Sequence, residues 1–205
     1  MIGIIDCDTG NLLSVRNALY YLGCDSVFCR SPQDLDGIDK IVLPGVGAFA
    51  DFMEKLKSRG FVDALETVVF DRGIPILGIC LGMQAMARKS FEGGEHQGLG
   101  WIEGDVIRIK PDDSGLRVPH IGWNEILPRR ESVLFDGLPE NGDFYFVHSY
   151  YVNCDNSGDV EATCDYGGAI TAAIRKNNVF ATQFHPEKSQ DHGLRVLDNF
   201  LRWKQ

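Results

Sequence analysis

The stretch Gly73-Ile74-Pro75-Ile76-Leu77-Gly78-Ile79-Cys80-Leu81-Gly82-Met83-Gln84 constrains this chain most tightly. An apolar run ends at Cys80, which has a glycine two residues before it and another two after it. Met83 to Arg88 then reads as a helix. A strand that passes at once into a helix puts the residue at the turn in a strained backbone conformation. The residues at plus and minus two must be small, because the chain passes close to itself there. This is the nucleophile-elbow pattern, G-x-S-x-G, with sulfur in place of oxygen. Such a turn lifts a thiol above the carboxyl ends of a sheet. The helix N-terminus behind it favours negative charge and offers free backbone N–H groups to an oxyanion. A buried structural cysteine in a glycine-rich β-to-α turn has the same local sequence, so the elbow alone leaves both readings open.

The segments before the elbow supply a parallel α/β half. Ile2–Asp6 reads as a buried strand, Asp8-Thr9-Gly10-Asn11 as a turn, and Leu12–Leu22 as an amphipathic helix stopped by Gly23. Ser26–Cys29 is a second strand, Ser31-Pro32 opens one helical turn, and Lys40–Leu43 is a third strand. This rhythm predicts a parallel sheet with helices on both faces. Pro44-Gly45-Val46-Gly47-Ala48-Phe49 follows the third strand, where open α/β sheets place ligand-binding backbone. Its glycine spacing fits neither a dinucleotide fingerprint nor a P-loop. It reads as a loop offering bare N–H groups to a carbonyl oxygen, or as an ordinary glycine turn. Helices at Ala50–Ser58 and Phe61–Arg72 lead into the elbow strand, and the elbow helix is expected to end near Ser90.

Phe91–Gly100 is a polar, glycine-rich loop. Strands are then expected at Asp105–Lys110, Gly122–Leu127, Phe144–Asn153, Val160–Cys164, Ile170–Arg175 and Val179–Phe184, with Asn177-Asn178 as a hairpin turn. A closing helix covers Gly193–Trp203. The fold class is therefore α/β: a three-layer sandwich with a mostly parallel central sheet, helices on both faces, and antiparallel strands added to one side. The 205 residues suit one domain, 1–205.

A net charge of −9 argues against nucleic acid as a partner. No apolar run approaches the ~20 residues of a membrane span. The N-terminus lacks a basic n-region and reads as a first strand rather than a signal peptide. The six cysteines form no C-x-x-C pair and no zinc spacing. Reduced thiols in a cytoplasmic protein, with no metal and no cofactor, are the expectation.

Gln183-Phe184-His185-Pro186-Glu187-Lys188-Ser189 is the second informative stretch. An apolar strand delivers His185 at its end, and Pro186 forces extended backbone on it and stops the ladder. Glu187, two residues on, can reach the same side. A histidine held by an acceptor is what a thiol nucleophile needs: His185 takes the proton from Cys80, and Glu187 fixes the tautomer. A surface histidine at a strand end is the commoner reading of such a dipeptide, and it loses ground here because the histidine, an acid at plus two and an elbow cysteine occur together. His96 reads as solvated and His192 as a helix-start residue. His120 and His148 sit in aromatic-rich strand ends, either lining a site or packing.

The Pro44–Phe49 loop, Gly78–Gln84 and His185–Ser189 together resemble the class I, triad-type glutamine amidotransferases. Thr9-Gly10-Asn11-Leu12, His120-Ile121-Gly122-Trp123-Asn124, Phe144–Tyr151 and Gln183–Gln190 are similar to a subgroup of glutaminase subunits. These pass ammonia to a (βα)8-barrel cyclase in histidine biosynthesis. The resemblance runs from first strand to last helix. It implies L-glutamine as substrate and Cys80, His185 and Glu187 as the catalytic triad. It implies an oxyanion hole from Leu81 and the Val46-Gly47 segment, the latter misaligned until the partner's substrate binds. Glutamine would be held by Gln84 and by His148, Ser149 and Tyr150, and the partner would meet Asn11, Trp123 and Lys188. A paralogue feeding another synthase, such as a sugar-amidating enzyme, a hydrolase of γ-glutamyl peptides, and a non-catalytic regulatory subunit are the competing readings.

Overall fold

The computed structural model describes residues 1–8, 11–112, 115–129, 132–139 and 142–204. Its first half runs β1 (Ile2–Ile5), α1 (Leu12–Tyr21), β2 (Ser26–Cys29), β3 (Lys40–Gly45), α2 (Phe49–Ser58), α3 (Phe61–Glu66), β4 (Ile76–Cys80) and α4 (Leu81–Ala85). The second half runs β5 (Ala87–Ser90), β6 (His96–Gln97), β7 (Ile102–Arg108), β8 (His120–Glu125), β9 (Leu127–Pro128), β10 (Asp143–His148), β11 (Tyr150–Cys154), β12 (Val160–Asp165), β13 (Ala169–Lys176), β14 (Val179–Thr182) and α5 (Gln190–Arg202). Thr9 and Gly10, of the expected first turn, lie outside the described residues.

The central eight-stranded sheet has the order β2-β1-β3-β4-β14-β13-β12-β9. Pairing is parallel from β2 through β14 and antiparallel from there to β9. Every residue of β1, β4 and β14 is buried, as a sheet covered on both faces requires. Phe49, Phe52 and Leu56 of α2 and Phe61 and Leu65 of α3 fill one face. Val15 and Leu19 of α1 and Val196, Leu197 and Phe200 of α5 fill the other. Register decides where the chemistry gathers: Gly45 lies opposite Cys80, and Ile79 opposite Thr182. The loop after β3, the end of β4 and the chain after β14 therefore leave the sheet side by side.

Three expectations need correction. The elbow helix stops at Ala85, and Ala87–Ser90 is a strand, paired in parallel with β7 and antiparallel with β6. The carbonyls of Ala85, Met86, Ala87 and Arg88 accept N–H groups from the returning Gly98–Ile102 chain, which ends the helical ladder. Gly98 allows this approach: a β-carbon there would lie 2.1 Å from the Ala87 oxygen. Phe144–Asn153 is two strands rather than one. β10 pairs with β8 and β11 with β7, so the chain changes sheets at Ser149. The added strands also do not all extend the main sheet, because β11-β7-β5-β6 and β10-β8 form sheets of their own.

The β8–β10 ribbon buries a cross-strand histidine pair, His120 opposite His148, with Nδ1 of the first 3.0 Å from Nε2 of the second. His120 stacks on Phe146 and on Tyr166. Burial pushes both imidazoles down to about 4. Between that value and the ordinary 6.5, the unfolded chain binds protons that the folded one does not. Folding stability should therefore fall as the pH drops through this window, by roughly 1–2 kcal/mol per histidine between pH 7 and 5. Urea unfolding at the two pH values tests this, with His120→Phe, which fits among the stacked rings, losing less than the parent. Equal losses in parent and variant would contradict it.

Candidate active site

Cys80 sits at the turn between β4 and α4 with φ 53° and ψ −104°, a left-handed backbone that a side chain rarely adopts. Both flanking glycines are sterically required. A β-carbon on Gly82 would lie 1.8 Å from the Leu43 oxygen, and one on Gly78 would lie 2.9 Å from the Gly82 carbonyl carbon. The expected elbow is thus present, and Leu81 follows the sulfur into α4. Beside it, Val46 and Gly47 leave the end of β3. Gly47 has φ 109° and open space where its β-carbon would be, so ligand can approach its backbone.

His185 arrives three residues past the end of β14 and is fully buried. Its N–H donates to the Tyr145 carbonyl at 3.0 Å. Ser189 closes the same turn, its hydroxyl donating to the His185 carbonyl at 2.7 Å and accepting from the Tyr145 N–H at 3.0 Å. His185 Nδ1 lies 2.7 Å from Glu187 Oε1, with both side chains withdrawn from solvent. Burial by itself would lower the imidazole's proton affinity. Negative charge on the Cys80 sulfur and on the Glu187 carboxylate outweighs it and raises the pKa to about 10. With Nδ1 held by Glu187, Nε2 has no hydrogen-bond partner among the described residues, and His185 lines the same cavity as Cys80.

These groups open on a cavity of about 380 Å³ lined by Val46, Gly47, Cys80, Leu81, Gln84, His148, Ser149, Tyr150 and His185. The change of sheet at Ser149 is what brings the His148–Tyr150 backbone to this wall. A larger groove of about 910 Å³, lined among others by Pro128, Phe135, Leu138, Asn199 and Trp203, contains none of the predicted site residues. Gln84 Nε2 donates to the Tyr150 carbonyl at 2.8 Å and to Gln183 Oε1 at 3.1 Å.

The predicted contact residues fall into two groups. Trp123 is 48% exposed and edge-on to Tyr145, and the exposed Lys188 lies over the same tyrosine ring, its Nζ 5.8 Å from the centroid. Asn11 instead reaches inward: its Nδ2 donates to Glu187 Oε1 and lies 3.5 Å from His185 Nδ1.

Two residues at the site carry no signal in the sequence pattern. Glu92 lines the cavity, and its Oε2 accepts the Phe49 N–H at 2.8 Å, which clips the polar loop to the start of α2. It sits among glycines, and only the fold brings it to the wall. Gln183 lies fully buried beneath the sulfur. Its place two residues before His185 was visible, but its direction was not. Among the described residues no group of three His, Cys, Asp or Glu is arranged to hold a metal, and no helix is long and apolar enough to cross a membrane.

A thiol and an imidazole backed by a carboxylate, beside the backbone of Val46, Gly47 and Leu81 around one cavity, can carry out acyl transfer through a thioester. The model of the class-I glutamine amidotransferase family matches residues 3–203. Imidazole glycerol phosphate synthase subunit HisH 1 of Campylobacter jejuni (strain RM1221) is 46% identical over 202 residues, covering 98% of this chain and 100% of that protein. The HisH subunit of Leptospira interrogans is 45% identical, covering 98% of each chain. Among solved structures, one described as a glutamine amidotransferase superposes with a TM-score of 0.75 at 22% identity over 97% of this chain and 98% of its own. PurLQS from Thermotoga maritima superposes with a TM-score of 0.75 at 16% identity over 98% and 96%. These two likenesses speak to the fold alone. By its sequence from the first strand to the last helix, this chain belongs to the class-I glutamine amidotransferases.

Proposed function

We propose that this chain is the glutaminase subunit of imidazole glycerol phosphate synthase. In this reading it forms one amidotransferase domain that hydrolyses L-glutamine to glutamate and passes ammonia to the cyclase subunit, a (βα)8-barrel, in a cytoplasmic heterodimer. The observation that carries the chemistry is one cavity lined by Cys80, strained at its elbow, and by His185, which is paired with Glu187; the full-length likeness to the HisH subunits supports the synthase.

The sulfur of Cys80 attacks the side-chain amide carbon of glutamine while His185 Nε2 takes the thiol proton. The C–S bond forms and the carbonyl oxygen becomes an oxyanion, held by the N–H of Leu81 and by an N–H of the Val46-Gly47 segment. A donor of this kind is typically worth ~3 kcal/mol of barrier. The tetrahedral centre collapses, the C–N bond breaks, and His185 gives its proton to the departing ammonia. A water, deprotonated by the same imidazole, then cleaves the thioester to glutamate and restores the thiol. The raised proton affinity of His185 favours the imidazolium, the form that gives its proton to the departing ammonia. Gln84 and the backbone of His148, Ser149 and Tyr150 position the glutamine, and the Glu92 carboxylate on the cavity wall is the natural counter-charge for its α-ammonium.

The released ammonia needs an acceptor. The outer face carrying Trp123, Tyr145 and Lys188 adjoins the triad, because Tyr145 accepts the His185 N–H. We assign the cyclase to this face. Asn11, bonded to Glu187, would carry contact at the interface directly to the triad.

Cys80→Ala should abolish synthesis from glutamine and leave synthesis from added ammonium salts intact in the reconstituted heterodimer. Loss of both routes would remove the ammonia-donor role. The isolated chain should hydrolyse glutamine slowly and speed up by about 10²-fold or more when the cyclase and its ligand align the Val46-Gly47 donor, the usual worth of one oxyanion contact. A lone subunit as active as the complex would remove the gating.

A further inference from the structure

A chain of hydrogen bonds runs from the outer face of the β8–β10 ribbon to the nucleophile, and its direction is fixed at each step. Asn124 Nδ2 donates to the Asp165 carbonyl at 2.9 Å and lies 3.4 Å from His120 Nε2. His120 Nδ1 lies 3.0 Å from His148 Nε2, and His148 Nδ1 lies 2.9 Å from the Tyr150 carbonyl oxygen. A backbone carbonyl only accepts, so His148 carries its proton on Nδ1 and leaves Nε2 bare for the His120 N–H. From the other side Gln84 gives one hydrogen to that same Tyr150 carbonyl and its second to Gln183. The Gln183 atom facing Gln84 must then be its oxygen. Its nitrogen is thereby turned to Cys80 Sγ, 3.6 Å away. An amide whose orientation is ordinarily ambiguous is settled by a network that begins at an obligate acceptor.

We propose that Gln183 is a catalytic residue of the glutaminase: its side-chain amide donates a hydrogen bond to Cys80 Sγ and stabilises the thiolate. Gln84, the Tyr150 carbonyl, His148 and His120 are the positioning groups that hold this amide in place. The inference rests on Cys80 being the nucleophile.

The physical basis is a difference between two protonation states. A thiolate accepts a hydrogen bond strongly and a thiol weakly, so a fixed donor favours the charged form. Gln183 is fully buried, and its backbone N–H is fixed to the Ala172 carbonyl at 2.8 Å. No mobile side chain has to be recruited when the sulfur ionises. The sulfur thus lies between an imidazole that takes its proton and an amide that steadies the charge left behind. The amide also stays in place while thioester forms and breaks, since it moves no proton itself.

The test is the pH dependence of Cys80 alkylation by iodoacetamide in the full chain, without glutamine, with Cys80 modification quantified by peptide mass spectrometry. Gln183→Met keeps the volume and removes the donor. The expected result is a midpoint raised by about one pH unit, a roughly tenfold loss of thiolate at a pH below both midpoints. A folded Gln183→Met protein with the parent's midpoint would overturn the proposal, whereas a merely packing role would lower the melting temperature and leave the midpoint alone. If that variant does not fold, Gln84→Met, which releases the Gln183 amide from its anchor, is read in the same way: a raised midpoint supports the proposal and an unchanged one overturns it. Failure of the underlying glutaminase reading would look different, as glutamine hydrolysis that survives Cys80→Ala.

Discussion

The close approach of Gly82 to the Leu43 carbonyl is the contact on which the rest of the site depends. It lays α4 against β3 with no room for a side chain, and a β-carbon would meet the Leu43 oxygen at 1.8 Å. Cys80 is held at positive φ as a consequence. A non-glycine residue in that region costs on the order of 1–3 kcal/mol and persists only where its surroundings enforce it. Here they do, because β4 is buried over its whole length between the two apolar layers. The strained turn leaves Cys80 on the wall of the cavity that His185 also lines.

Burial acts on three histidines near this sheet end, with different results. It lowers the proton affinity of His120, His148 and His185 alike. His120 and His148 pair with each other, aromatic rings, an amide and a carbonyl, with no carboxylate bonded to either among the described residues, and stay neutral connectors. His185 has a thiol on one side and a carboxylate on the other, and these reverse the direction. A base and a rigid hydrogen-bonding strut are thus made from one residue type by neighbours alone.

Much of this was legible in the chain. The elbow, its glycines, the loop after β3 and the His185–Glu187 pair are local patterns whose geometry follows from backbone sterics, and each lies where the pattern puts it. The parallel half of the sheet was equally readable, because its strands are buried on both faces and bounded by turn residues. The segment Ala87–Ser90 was not, since Arg88 and Lys89 are ordinary helix formers. Their strand is imposed by the returning Gly98–Ile102 backbone and by Arg88 bridging Asp105 and Asp155. The break at Ser149 was hidden for a similar reason: β10 and β11 have one continuous apolar pattern and differ only in their partners. Glu92 reaches the site only through the fold, where it accepts the Phe49 N–H, and the spacing of Gln183 from His185 does not say where its amide points.

The most direct test of the assembled triad is covalent trapping by a glutamine-shaped electrophile, 6-diazo-5-oxo-L-norleucine, mapped by peptide mass spectrometry. A single adduct on Cys80 is expected, prevented by excess glutamine and strongly slowed in His185→Gln. Labelling of another of the cysteines, or labelling of Cys80 at the same rate without the histidine, would contradict the claim that sulfur, imidazole and carboxylate act as one unit.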